Sequence, residues 1–166
     1  MWYVFVRDAI QAVPGAYGTI VGGLAVQELG YVRWTEDVDV VVDAAHYSEV
    51  LDYLRNHEFT LQDGLVLCKT DTGTILDILK EGQKLKDSLL PVPSPSDLGP
   101  NRGFATLQAI VRMKLDSGGR MKDLADIVEL LKRYPDRIAT LEAMLPDVLL
   151  EGYKRLAAQA LREMQS

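Results

Sequence analysis

The sequence predicts an α+β fold: a mixed β-sheet flanked by helices, followed by a C-terminal helical extension. Three observations carry this. Short β-branched runs alternate with helical stretches over the first half of the chain. A stretch without periodicity, "KDSLLPVPSPSDLGPNR", then brings four prolines. Everything after it repeats its apolar residues at helical spacing. The chain thus reads as an α/β core over residues 1–83, a connector over 84–102 and a helical region over 103–166.

Each element has its own local reason. "RDAIQAV" reads as a short helix stopped by Pro14-Gly15, and "YGTIV" as a strand running into Gly22-Gly23. "LAVQELG" spaces Leu24, Val26 and Leu29 as a helix does, with Gly30 as its stop, and "DVDVVVD" is a strand. "AAHYSEVLDYLRNHEF" is an amphipathic helix with Val50, Leu51 and Leu54 on one side. "LVLCKT" and "TILDIL" are strands joined by the turn "DTG". Beyond the connector, "GFATLQAIVRMKLDS", "MKDLADIVELLKRY" and "RIATLEAMLPDVLLEGYKRLAAQALREM" are helical, with Pro146 expected to kink or break the last.

At 166 residues, 48% apolar and 25% charged, the chain fits a single soluble domain with at most a small appendage. No run approaches the ~20 apolar residues that span a bilayer. The start, "MWYVFVRDAI", lacks a basic leader and a small-residue cleavage site. Cys68, the single cysteine, is expected to be a small buried hydrophobe, and its solitude fits the cytoplasm. The net charge of −6 argues against a general nucleic-acid binder, whose affinity comes mostly from Lys and Arg. Charge is unevenly spread: residues 36–63 hold eight acids against Arg55, whereas residues 101–133 hold seven bases against four acids. The front half suits cations and the back half anions, although solvated helix faces show the same asymmetry.

The segment "VGGLAVQELGYVRWTEDVDVVVD", residues 21–43, sets two aspartates in a run of valines. Side chains alternate across a strand, so Asp37 and Asp39 share a face, with Cα atoms ~7 Å apart. Two carboxylates converging on one face repel unless a cation lies between them, and a Mg²⁺ completed by substrate phosphates satisfies both needs. The alternative is an exposed sheet face with acids toward water. Asp77, between Ile75-Leu76 and Ile78-Leu79, is the third acid. An unpaired carboxylate in an apolar strand is costly, so it is expected to be paired, metal-bound or at a solvated cleft; an edge strand facing water is the competing reading. Two metals held by three such acids would stabilise an in-line displacement at phosphorus. Gly22 and Gly23, where a strand stops and a helix begins, would let phosphate oxygens approach the backbone.

Together these residues resemble the nucleotidyltransferase superfamily related to DNA polymerase β. Its pattern is an apolar residue, Gly, Gly or Ser, roughly a dozen residues, Asp-apolar-Asp-apolar, and a later Asp on a second strand. Here Val21-Gly22-Gly23, thirteen intervening residues, Asp37-Val38-Asp39-Val40 and Asp77 match it. The flanking Arg33-Trp34-Thr35-Glu36-Asp37-Val38-Asp39 resembles the R-x-T-x-D-x-D version of small bacterial nucleotidyltransferases of the toxin–antitoxin and abortive-infection kind. That narrower group also has a helical lysine followed by R-x-x-K-D-x-x-D. Here Lys114 is followed by "RMKDLAD", with Arg120, Lys122, Asp123 and Asp126, one residue shorter between the arginine and the lysine. Gly23 stands where many members carry Ser, which leaves only backbone N–H donors there. The resemblance spans residues 15–133.

It implies a nucleotidyltransferase-type fold and a metal-dependent transfer of an NMP from an NTP, ATP foremost, to a hydroxyl of a protein, RNA or small molecule. Asp37, Asp39 and Asp77 would be catalytic and hold Mg²⁺ or Mn²⁺. Gly22, Gly23, Thr35, Lys114 and Asp123 would bind the nucleotide, Lys114 meeting the triphosphate and Asp123 positioning that lysine or the acceptor. Lys122 and Asp126 also fit a plain solvated helix face, and neither His46 nor His57 is expected to be catalytic. Two other readings stay open: a catalytically silent partner in a toxin–antitoxin pair, binding a cognate antitoxin or toxin protein, and a nucleotide sensor.

Overall fold

A computed structural model describes residues 2–57, 59–62, 66–69, 75–99 and 103–166. The elements in order are α1 (Trp2–Ala12), β1 (Gly18–Val21), α2 (Gly22–Glu28), β2 (Asp37–Val42), α3 (Tyr47–Arg55), β3 (Phe59–Gln62), β4 (Val66–Lys69) and β5 (Ile75–Lys80). Then come α4 (Pro95–Leu98), α5 (Leu107–Leu115), α6 (Met121–Arg133), a 3₁₀ turn (Pro135–Arg137), α7 (Ile138–Met144) and α8 (Asp147–Gln165). The turn "DTG" and the burial of Cys68 lie outside the described residues. Among the described residues, no helix is long and apolar enough to cross a membrane.

The sheet is five-stranded and mixed, in the order β1-β2-β5-β4-β3. Among the described strands β2 and β5 run parallel, side by side within the sheet, and the other neighbouring pairs are antiparallel. On one face, Val38, Val40 and Val42 of β2 and Leu76 and Ile78 of β5 are buried against α1 and α3. On the other, Val41 and Leu79 pack with Val21, Val26, Leu98 and Ile110 from β1, α2, α4 and α5. Because side chains alternate, Asp37 and Asp39 precede Val41 on this second face, and Asp77 precedes Leu79. The acids therefore begin where the apolar filling of that face ends.

A third core joins α5 and α6 to the C-terminal helices through Val111, Ile127, Leu131, Leu141, Tyr153 and Leu156. Residues 134–166, for which the sequence offered no resemblance, thus brace the two helices that carry Lys114, Asp123 and Asp126.

Several boundaries differ from the sequence reading. The first helix begins at Trp2, ahead of "RDAIQAV". The helix expected to reach Phe59 ends at Arg55, and Phe59 instead opens β3, 2% exposed and stacked on Phe5 at 5.6 Å between ring centroids. Helix α2 starts on the glycines rather than at Leu24. Within the connector, α4 forms one turn, with Ser94 as N-cap accepting from the backbone N–H of Asp97 at 3.2 Å. Pro146 breaks the last helix: it occupies the N-cap of α8, where a missing N–H costs nothing.

Candidate active site

Register brings the acids together. Asp39 and Asp77 face each other across the parallel β2–β5 pair, and Asp37 lies two residues before Asp39 on the same side. One carboxylate oxygen from each of the three falls within 4.8 Å of the others. They open into a cavity of about 220 Å³ whose walls also carry Gly22, Gly23, Arg33, Lys114, Arg120 and Asp123.

The glycines fit the acids closely. Gly22 has φ +62, a conformation that L side chains rarely adopt, and a Cβ there would fall inside the Asp39 carboxylate. The Gly23 backbone N–H donates to Asp39. Thr35 Oγ donates to Asp37 Oδ1 at 2.7 Å.

Burial, then the neighbouring Asp37 and Asp77 charges, push the Asp39 carboxyl up to about 6, against the opposing pull of Lys114 and the Gly23 N–H. Burial and Asp37 likewise raise Asp77. Asp77 Oδ1 is buried without a hydrogen-bond partner among the described residues. Three converging carboxylates, two of them raised and one with an orphaned oxygen, are a donor set that a divalent cation fits: it would satisfy the free oxygen and cancel the repulsion.

The same cavity carries a second charge network around the buried Lys114, Asp123 and Asp126. Lys114, 6% exposed, puts Nζ 2.6 Å from Asp123 Oδ1 and 2.7 Å from Asp126 Oδ2. Arg120 Nε lies 2.6 Å from Asp123 Oδ2. Arg33 Nε sits 2.8 Å from Asp126 Oδ1, a close ion pair without hydrogen-bond alignment. Burial works to raise the Asp123 carboxyl, but Lys114, helped by Ser117 and Arg120, holds it below the ordinary carboxylate range.

The structure therefore gathers Asp37, Asp39, Asp77, Gly22, Gly23, Lys114 and Asp123 on one cavity, with Thr35 behind Asp37. The solvated-face alternative is wrong for Asp126, which is 1% exposed and bridges Arg33 to Lys114. Lys122 is exposed at the cavity edge. Asp126 and Arg33 were absent from the expected site residues. A signal existed for Asp126: with Asp123, it extends the buried stripe of Ile127, Leu130 and Leu131 at helical spacing.

No protein-family model matches the sequence, and no curated protein matches it. Among solved structures, it is similar to the antibiotic-resistance factor ANT(2'')-Ia, whose solution structure is described as revealing substrate-regulated conformation dynamics. The TM-score is 0.60 at 14% identity, with 98% of this chain and 96% of that chain covered. At such identity the likeness establishes the fold: the chain has the nucleotidyltransferase-type α+β fold, mixed sheet and C-terminal helices included.

Proposed function

We propose that the protein is a metal-dependent nucleotidyltransferase that moves a nucleoside monophosphate, AMP foremost, from a triphosphate to an acceptor hydroxyl. The observation that carries this is the convergence of Asp37, Asp39 and Asp77, with one buried oxygen unpartnered among the described residues, on a cavity also lined by Arg33, Lys114 and Arg120.

In this reading Asp37, Asp39 and Asp77 hold Mg²⁺ or Mn²⁺. When bound, the metal supplies positive charge at the transferring phosphoryl group and lowers the pKa of the acceptor hydroxyl. Gly22 and Gly23 leave the backbone open to phosphate oxygens. Lys114, clamped by Asp123 and Asp126, keeps an ammonium at a fixed point of the cavity wall beside the triphosphate. Asp77, placed beside the metal and the cavity, is the candidate base for the acceptor proton.

The fold likeness to an antibiotic-resistance factor supports keeping a small molecule among the acceptors, beside protein and RNA. A place among toxin–antitoxin or abortive-infection enzymes, with a cognate protein partner, rests on the Arg33-x-Thr35-x-Asp37-x-Asp39 pattern.

The test is a screen of labelled triphosphates with Mg²⁺ and a host lysate or candidate acceptors, read as label transfer and pyrophosphate release. ATP-dependent labelling that disappears in Asp39→Asn is expected. Tight Mg-ATP binding with no turnover against any acceptor would instead make the protein a sensor.

A further inference from the structure

Residues 31–36 enter β2 in alternation. Val32 and Trp34 point outward, 84% and 81% exposed, whereas Arg33 and Thr35 turn in. The same period continues into Asp37 and Asp39, so Arg33, Thr35, Asp37 and Asp39 line one side of a single extended segment. This inward row lies directly over the start of α2. A Cβ on Gly23 would meet Thr35 Oγ at 2.5 Å, Thr35 Cβ at 2.8 Å and Arg33 Nη2 at 3.1 Å. A separation under 3.0 Å is one that real Cβ atoms essentially never show, so a side chain at 23 would have to push Thr35 away.

Thr35 in turn donates its hydroxyl to Asp37 Oδ1 at 2.7 Å, its hydrogen bond among the described residues. A carboxylate that receives a fixed donor is restrained in rotation, and Asp37 so held lines the cavity. Arg33, on the same row, is anchored from behind by Asp126 at 2.8 Å, which holds the segment against α6. The space that Gly23 leaves empty is thus filled by the residue that aims Asp37.

From this we infer that Thr35 is a positioning residue for the Asp37 carboxylate, and that Gly23 has no side chain because Thr35 occupies its place. The inference rests on the reading of Asp37 as a metal ligand, and deepens it. It gives Thr35 a role other than touching nucleotide, and it makes Gly23 and Thr35 an interlocked pair rather than two separate nucleotide contacts.

The experiment titrates purified protein with Mn²⁺ alone, reading free ion by electron paramagnetic resonance, with a thermal melt of each variant. Losing an outer partner of a metal ligand typically weakens metal binding at least about tenfold. Thr35→Val should show that loss, with melting close to wild type, and Thr35→Ser, which keeps the hydroxyl, should stay within about twofold of wild type. Gly23→Ala should weaken Mn²⁺ binding about tenfold in the Thr35 chain, yet add little in a Thr35→Gly chain, where the collision with Thr35 is gone and only the far end of the Arg33 side chain lies near. Wild-type Mn²⁺ affinity in Thr35→Val would overturn the proposal, as would equal losses in the Val and Ser variants or additive losses in the Gly23 cycle. Wild-type protein that binds Mn²⁺ no better than Asp37→Asn would remove the metal-site reading itself, a result visible before any Thr35 variant is made.

Discussion

Asp39 is a carboxyl whose environment works against its charge. Its folded pKa of about 6 lies above the ordinary 3.8, so the metal-free folded protein holds a proton that the unfolded chain releases. Stability linked to such a group falls as pH rises from about 4 to about 6, by on the order of 3 kcal/mol. Asp77, also raised, acts in the same direction. Metal-free Asp39→Asn should therefore melt higher than wild type above pH 6, and the two should converge near pH 4; thermal melts across that range with chelator present check it. Mn²⁺ affinity of wild type should fall as pH drops through 6, because the proton competes for the ligand. A mutant that melts lower at neutral pH would make Asp39 structural. At Asp77 the expectation is a split: Asp77→Asn keeps Mg-ATP affinity by calorimetry while pyrophosphate release drops by orders of magnitude, since the interaction lost is made in the transition state.

Helices α5 and α6 meet through the Lys114–Asp123–Asp126 contacts, and removing the lysine leaves two buried carboxylates short of a counter-charge. Breaking a buried pair from one side costs about 3–5 kcal/mol. Lys114→Ala should lower unfolding free energy by that order in urea, and adding Asp126→Asn should recover part of it by removing one stranded charge. Full wild-type stability in the single mutant would show the network to be solvated. At this scale the sequence was partly legible. The amphipathic stripe of α6 was readable from spacing, and so was the placement of Asp37 and Asp39 on one face, because both follow from the period of a single element. That Asp126 reaches Arg33, 93 positions back by number, was not readable, because an ion pair between separate elements leaves no periodic trace.

For the whole molecule, the C-terminal helices complete the fold. Helix α8 covers Val111 of α5 and Ile127 and Leu131 of α6, and Tyr153, fully buried, donates its hydroxyl to Ile138 O at 2.8 Å. Burial pushes that hydroxyl up to about 12, so it stays a neutral donor through the working pH range. Tyr153→Phe should cost about 1 kcal/mol in urea unfolding, the net value of one such bond. Ending the chain at Pro146 should do far more: the exposed third core should abolish cooperative melting and, with it, Mn²⁺ binding at the acids. A truncated chain that melts cooperatively and binds Mn²⁺ like wild type would separate the tail from the site.

By itself the sequence singled out positions that the structure gathers on one cavity: three aspartates inside apolar strands, paired glycines at a strand end, and a lysine and aspartate on successive helices. These were visible because burying an acid is costly enough to make it conspicuous among valines and leucines. It also determined the alternation of strands and helices, which is a local property of side-chain period. Only the tertiary structure decided that β2 and β5 lie parallel with Asp39 opposite Asp77, that Thr35 fills the space over Gly23, and that Asp126 ties Arg33 to Lys114. Those facts depend on strand register and on which faces meet, and register is fixed by the summed burial of whole elements rather than by any residue's own preference.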